Sequence, residues 1–161
     1  IPRSIPKLDK LKLLGLDISE NGLLIAEHFA NKYKYNLSTF KFDFRSQKIN
    51  NLNLGLDQSL ILSNFALHYY KNFSIRNIEE FINSGINSGI HFEPCTKLIS
   101  RLKDQYYGKL CKNYIYLNDY TKSISHAFIE AARKNIINLN IDENIIGHGL
   151  LPGSLITWQK I

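Results

Sequence analysis

Leu11-Lys12-Leu13-Leu14-Gly15-Leu16-Asp17-Ile18-Ser19 is the stretch that decides the fold. It is an apolar run of strand length that closes on an acid and a helix-capping residue type, so it predicts a buried strand leaving into a helix. The following residues agree. From Glu20 to Tyr33 apolar side chains recur at Leu23, Ala26, Ala30 and Tyr33, with Ile25 and Phe29 widening the stripe, which is the spacing of one helix face. Lys32 and Lys34 suit the carboxyl-terminal end of that helix dipole.

Working outward, the unit repeats. Ser38–Phe44 alternates Phe40, Phe42 and Phe44 with Thr39, Lys41 and Asp43 and predicts a second strand, after which the polar run 45–53 is a connection. Ser59–Ala66, centred on Leu60-Ile61-Leu62, predicts a third strand buried on both faces, because it does not alternate. Ser74 caps a helix carrying Ile78, Phe81 and Ile82, and Gly85 can end it. Ser88–Glu93 is a fourth strand stopped by Pro94, and Thr96 opens a helix with Leu98, Ile99, Leu102 and Tyr106. Tyr114–Tyr120 reads as irregular. A helix then carries Ile124, Phe128, Ala131 and Ala132; Ile137, Leu139 and Ile141 keep a period of two; 147–153 is a loop; and Ser154–Ile161 is a closing strand with Trp158. Strands alternating with helices imply an α/β fold with a mostly parallel sheet, its last strand pair antiparallel. One domain over 1–161 is expected.

Composition narrows the function classes. The chain has 161 residues, 44% apolar and 21% charged, ordinary for a folded protein. No apolar run reaches the roughly 20 residues of a membrane span, and Ile1-Pro2-Arg3-Ser4-Ile5-Pro6 lacks a signal-peptide core, so a cytoplasmic location is expected. Cys95 and Cys111 are too few for a disulfide framework and are read as free thiols, and the spacing of the five His argues against a metal site. A net charge of +6 permits an anionic partner, but the lysines are dispersed; Lys7, Lys10 and Lys12 are sparse and no basic cluster is interleaved with the nine Phe and nine Tyr, which disfavours nucleic acid.

In doubly wound sheets ligands sit beyond the carboxyl ends of the strands. Those positions here are Asp17-Ile18-Ser19, Asp43-Phe44, Ser63-Asn64-Phe65 and His91-Phe92-Glu93. An acid at such a place, beside a helix amino terminus, can accept hydrogen bonds from a ribose diol. His91 and Glu93 share one side of their strand by the period of two, and either can serve as a base or orient a nucleophilic hydroxyl. His68 opens a possible substrate wall, His68-Tyr69-Tyr70. Tyr120, His126 and His148 are weaker candidates.

The order and spacing of these motifs resemble the class I S-adenosylmethionine-dependent methyltransferases, with their Rossmann-like fold, from about Leu11 to the carboxyl terminus. Leu-Leu-Gly-Leu-Asp-Ile-Ser resembles that family's second strand, Phe-Lys-Phe-Asp-Phe its third, and Leu-Ile-Leu-Ser-Asn-Phe-Ala-Leu-His-Tyr its fourth with the loop after it. The resemblance implies that Asp17, with Ile18, binds the cofactor ribose, that Asp43 and Phe44 contact adenine, and that Ser63, Asn64 and Phe65 line the reaction centre. It implies transfer of a sulfonium methyl group to a small-molecule acceptor, a hydroxyl being preferred because His91, Glu93 and His68 are at hand.

The family's first strand and its glycine-rich turn have no counterpart: Gly147-x-Gly149 lies near the other end of the chain. That strand belongs between the second and fourth, and without it two half-sheets would expose central edges. Since the chain also contains no Met, the expectation is that the first strand and helix lie upstream of Ile1 or come from a partner domain. Three other functions compete: a non-catalytic methyltransferase-like docking domain, a nucleic-acid methyltransferase, and a nicotinamide-dependent oxidoreductase, the last failing to explain the terminal antiparallel pair.

Overall fold

The structure is a computed structural model that describes residues 11–52, 55–56, 59–99 and 102–161. Lys7 and Lys10, like the opening Ile-Pro-Arg-Ser-Ile-Pro, lie outside the described residues. The chain divides into two compact units, one ending at Gln47 and one running from Lys48 to Ile161.

The first unit is one strand–helix–strand crossover. Strand β1 (Lys12–Asp17) leads into helix α1 (Glu20–Tyr33), and β2 (Asn36–Lys41) returns parallel to β1, pairing Leu13 with Leu37 and Asp17 with Lys41. Ser19 caps α1 by accepting the Gly22 amide at 3.1 Å, and Lys34 closes it in the left-handed conformation at φ 59°. Beyond β2 the Phe42 amide donates to the Asp17 carbonyl at 2.9 Å and carries the pairing one residue further. Among the described residues of this unit, Phe42, packed edge-on to Phe44, and Ala30 are fully buried.

The second unit is a four-stranded sheet in the order β3-β4-β6-β5. Strand β3 (Ser59–Asn64) is followed by a 3-10 turn at Leu67–Tyr69, helix α2 (Ile75–Asn83), β4 (Ile86–Glu93), a single helical turn α3 (Thr96–Ile99), α4 (Gln105–Leu117), α5 (Ile124–Arg133), β5 (Ile137–His148) and β6 (Leu151–Lys160). The asparagine side chain of Asn77 accepts the Ser74 amide at the start of α2, and Gly85, at φ 92°, makes the turn into β4. Ile78 and Phe81 of α2, Phe73, and Ala127, Phe128 and Ala131 of α5 form the core with Ile86, Ile156 and Trp158 of the sheet.

Several expectations need correction. The sheet is mixed rather than mostly parallel: β3 and β4 are parallel, but β6 lies between β4 and β5 and runs against both, so each of its ladders is antiparallel. The terminal pair is longer than its alternating sequence suggests and closes as a hairpin, its turn at Gly149 and Leu150 replacing most of the expected loop. Strand β3 is buried on one face only: Leu60 and Leu62 are 54% and 63% exposed, because no described helix of its own unit covers that side. Tyr114–Leu117 is helical, the last turn of α4, and the helix expected to open at Thr96 is one turn that stops before Leu102. The outer edges of β1 and β3, which the resemblance assigns to a first strand, have no partner among the described residues. No described helix is long and apolar enough to cross a membrane.

Candidate functional site

The register of the larger sheet assembles a buried polar network from four segments. Gly89, His91 and Glu93 alternate onto one face of β4. Ser63 of β3 is the cross-strand partner of His91, and Trp158 of β6 is the partner of Gly89. Gly89 has no side chain, so the indole lies over it and reaches the next residue on the same face: Trp158 Nε1 donates to His91 Nε2 at 2.9 Å. A Cβ on Gly89 would fall 2.6 Å from Trp158 Cε2 and 2.7 Å from His91 Nε2, and closer still to Trp158 Nε1. Glycine is required there by close approach.

The chemistry of the donors fixes the direction of every bond. An indole N–H only donates, so His91 Nε2 is the acceptor and the ring hydrogen is on Nδ1. That N–H points to Ser63 Oγ at 2.8 Å, and the Ser63 hydroxyl in turn donates to Glu93 Oε1 at 2.8 Å. Burial holds the His91 pKa down at about 4, against a smaller opposite pull from the Glu93 charge. The neutral ring agrees with the bond from Trp158, which an imidazolium could not accept. Phe128 covers the ring of His91 at 5.0 Å between centroids.

Glu93 is the anchor. Its Oε1 also accepts the amides of Ala66 at 2.9 Å and Leu67 at 3.0 Å, and its Oε2 accepts the His68 amide and His68 Nδ1, both at 3.3 Å. Five donors converge on one fully buried carboxylate. All five come from the segment that leaves β3 or from Ser63 at its base, so Glu93 clamps the turn at the carboxyl end of that strand. Phe65 begins the turn at φ 49°, a left-handed conformation unusual for a bulky residue, and its amide donates to the Phe92 carbonyl at 2.8 Å. Beyond the clamp, Tyr120 meets His68 edge-on at 4.5 Å and Tyr69 at 5.3 Å. Partial burial and bonding to Tyr69 raise the Tyr120 phenol to about 12, so it stays a neutral donor.

Ser63, His68, His91 and Glu93 are therefore brought together, with Phe65 at their edge, while Asn64 is solvent-exposed. His91 and Glu93 share one side of β4, as their period of two implies, but both are sealed from solvent and all their polar atoms are used within the protein. The sequence reading misses Trp158 and Gly89. Their partnership depends on a register between strands 69 residues apart, and no local pattern carries it. Of the weaker candidates, Tyr120 touches His68, His126 lies exposed in the first turn of α5, and the His148 side chain is outside the described residues. The thiol of buried Cys95 is pushed up to about 12 by burial and by the Glu93 charge, so it is held as the neutral thiol.

In the first unit Asp17 ends β1 and is exposed. Its Oδ1 accepts the Ser19 amide at 2.8 Å, whereas Oδ2 takes no bond from a described residue. Ile18 beside it is 50% exposed. Asp43 is occupied differently: Arg45 Nε and the Arg45 amide reach Oδ1 at 2.8 and 3.0 Å and Nη2 reaches Oδ2 at 2.9 Å, which holds its carboxyl down at about 2.

No family profile and no curated protein matches this sequence. Among solved structures the chain is similar to the methyltransferase domain of bacterial CtHen1-C, with a TM-score of 0.51 and 10% identity over 92% of this chain and 77% of that one. At that identity the likeness shows a shared fold: a mixed α/β, methyltransferase-like architecture.

Proposed function

We propose that this chain binds S-adenosylmethionine and transfers its methyl group to a small-molecule acceptor. Asp17 is the observation that carries the reading. One oxygen is fixed by the Ser19 amide and the other, which takes no bond from a described residue, can accept a ribose hydroxyl, with the apolar surface of Ile18 next to it. Asp43 fits less freely, because adenine would compete with Arg45; the half-buried ring of Phe44 is the better adenine contact in that loop. When bound, the cofactor supplies a methyl group already activated by its sulfonium charge. What the chain contributes is orientation and exclusion of water. Ser63, His91 and Glu93 act as positioning residues that hold the Phe65–Tyr69 segment, and Tyr69 and Tyr120 offer phenols and aromatic faces to the acceptor.

Calorimetry with S-adenosylhomocysteine tests the reading. Saturable binding, weakened about tenfold or more in Asp17→Ala by loss of a charge-assisted bond and nearly unchanged in Glu93→Gln, is expected. Absence of binding by the wild-type chain would replace the enzyme reading with the docking-domain one.

A further inference from the structure

The acid that ends β1 has a cation for a neighbour and does not pair with it. In the parallel register of the first unit Asp17 is the cross-strand partner of Lys41, which places the two residues on one face of the sheet. Lys41 nevertheless gives its ammonium to Glu20, the first residue of α1, at 2.6 Å. No ion pair joins it to Asp17 among the described residues. Asp43 in the same unit shows the alternative, since Arg45 bonds both of its oxygens. One strand-end acid is neutralised by its neighbour and the other is left as an acceptor. The Glu20–Lys41 pair is exposed on both sides and contributes little to stability, so holding the lysine away from Asp17 is its larger consequence.

Space around Asp17 is arranged as well. A Cβ on Gly22 would fall 3.0 Å from Asp17 Oδ2 and 3.4 Å from its Cγ, so a side chain there would push the carboxylate off the first turn of α1 by a few tenths of an ångström. Gly22 lies within a helix, where alanine is the more favourable residue, and its backbone is not in the left-handed region. Neither helix formation nor a turn calls for glycine at that place; the seat of the carboxylate does. Ser19 completes the holder, its amide donating to Asp17 Oδ1 at 2.8 Å and its hydroxyl accepting the Gly22 amide at 3.1 Å.

We infer that Glu20 and Gly22 are positioning residues for Asp17: Glu20 draws Lys41 aside and Gly22 leaves the carboxylate its seat, so that Oδ2 is presented as an anionic acceptor to a ribose hydroxyl. The inference deepens the reading in which Asp17 binds the cofactor ribose and rests on it for the ligand, while the holding of the carboxylate stands on its own geometry.

Two measurements on the full chain test it: calorimetry with S-adenosylhomocysteine, and the resonance of the Asp17 side-chain carboxyl carbon without ligand. Glu20→Gln should lower affinity about threefold and move the Asp17 resonance, because the released ammonium turns to the remaining carboxylate. Both effects should vanish when Lys41→Gln is added, which leaves no ammonium to divert. Gly22→Ala should also lower affinity about threefold, with a Tm no lower than that of the wild type; a purely structural glycine predicts unchanged affinity. An affinity loss in Glu20→Gln that persists without Lys41, or affinities unchanged in both single variants, would overturn the inference. Should the wild-type chain bind no S-adenosylhomocysteine, a Lys41-dependent shift of the Asp17 resonance would retain the holding of the carboxylate and discard the methyltransferase reading, and an unmoved resonance would discard both.

Discussion

A missing side chain organises the buried network. Gly89→Ala would drive a methyl group into the Trp158 indole and break its bond to His91, and overpacking together with a buried unsatisfied N–H should cost about 3 kcal/mol or more. Urea unfolding followed by tryptophan emission measures this, the single Trp reporting directly. His91 makes a second residue-level prediction. The unfolded chain binds its proton with ordinary affinity, near pH 6.5, whereas the native ring does so only at about 4. The contribution of the neutral ring is thus complete above pH 6.5 and lost progressively as pH falls toward 4, about 3 kcal/mol in all. Urea midpoints between pH 7 and 4.5 should show it, and the slope should flatten in His91→Gln; an equal slope in the variant would assign the acid sensitivity to other groups. Glu93→Gln places an amide N–H₂ among five donors, and a loss of about 3 kcal/mol at neutral pH is expected from breaking a buried charged network. Legibility is uneven at this scale. The alternation that puts His91 and Glu93 together is local and readable, but their function as a clamp depends on Ala66, Leu67 and His68 arriving from another strand.

Elements begin where short side chains can satisfy their first amides. Asp104 accepts the Tyr107 amide at 2.9 Å and starts α4, while Ser19 does the same for α1. Asp104→Ala should lower stability by about 1 kcal/mol, seen as a fall in Tm, and Asp104→Asn should restore most of it. The same capping chemistry explains an error of sequence reading. Periodicity joins Leu98, Ile99, Leu102 and Tyr106 into one helix, but α3 ends at Ile99 and Asp104 opens a new helix whose buried face is Gly108, Cys111 and Ile115. Leu102 and Tyr107 still pack on Ile99, Cys111 and Ile115, so the apolar pattern reports membership of the core and not continuity of the backbone. Leu60-Ile61-Leu62 misleads in the opposite sense: an unbroken apolar run predicts two buried faces, and its own unit buries one.

On the scale of the whole molecule, stability should be unequally shared. The unit ending at Gln47 rests on a two-stranded sheet and one helix and fully buries only Ala30 and Phe42 among its described residues, whereas the second unit has an extended core and two interior strands, β4 and β6. Two-stranded sheets are marginal, so native-state hydrogen exchange should open the first unit at a lower free energy than the second, with the slowest amides in β4 and β6; uniform protection across both units would contradict this. By itself the sequence determined the strand–helix alternation, the acid at the end of β1, the antiparallel terminal pair and the buried faces of α2 and α5, because hydrophobic periodicity, caps and turn residues are local. Only the tertiary structure decided that β6 inserts between β4 and β5, that Trp158 lies over Gly89 to reach His91, and that Glu93 serves a turn it is distant from in sequence. Each of these follows from the register between strands and the packing of helices upon them, which are set by burial summed over many distant residues.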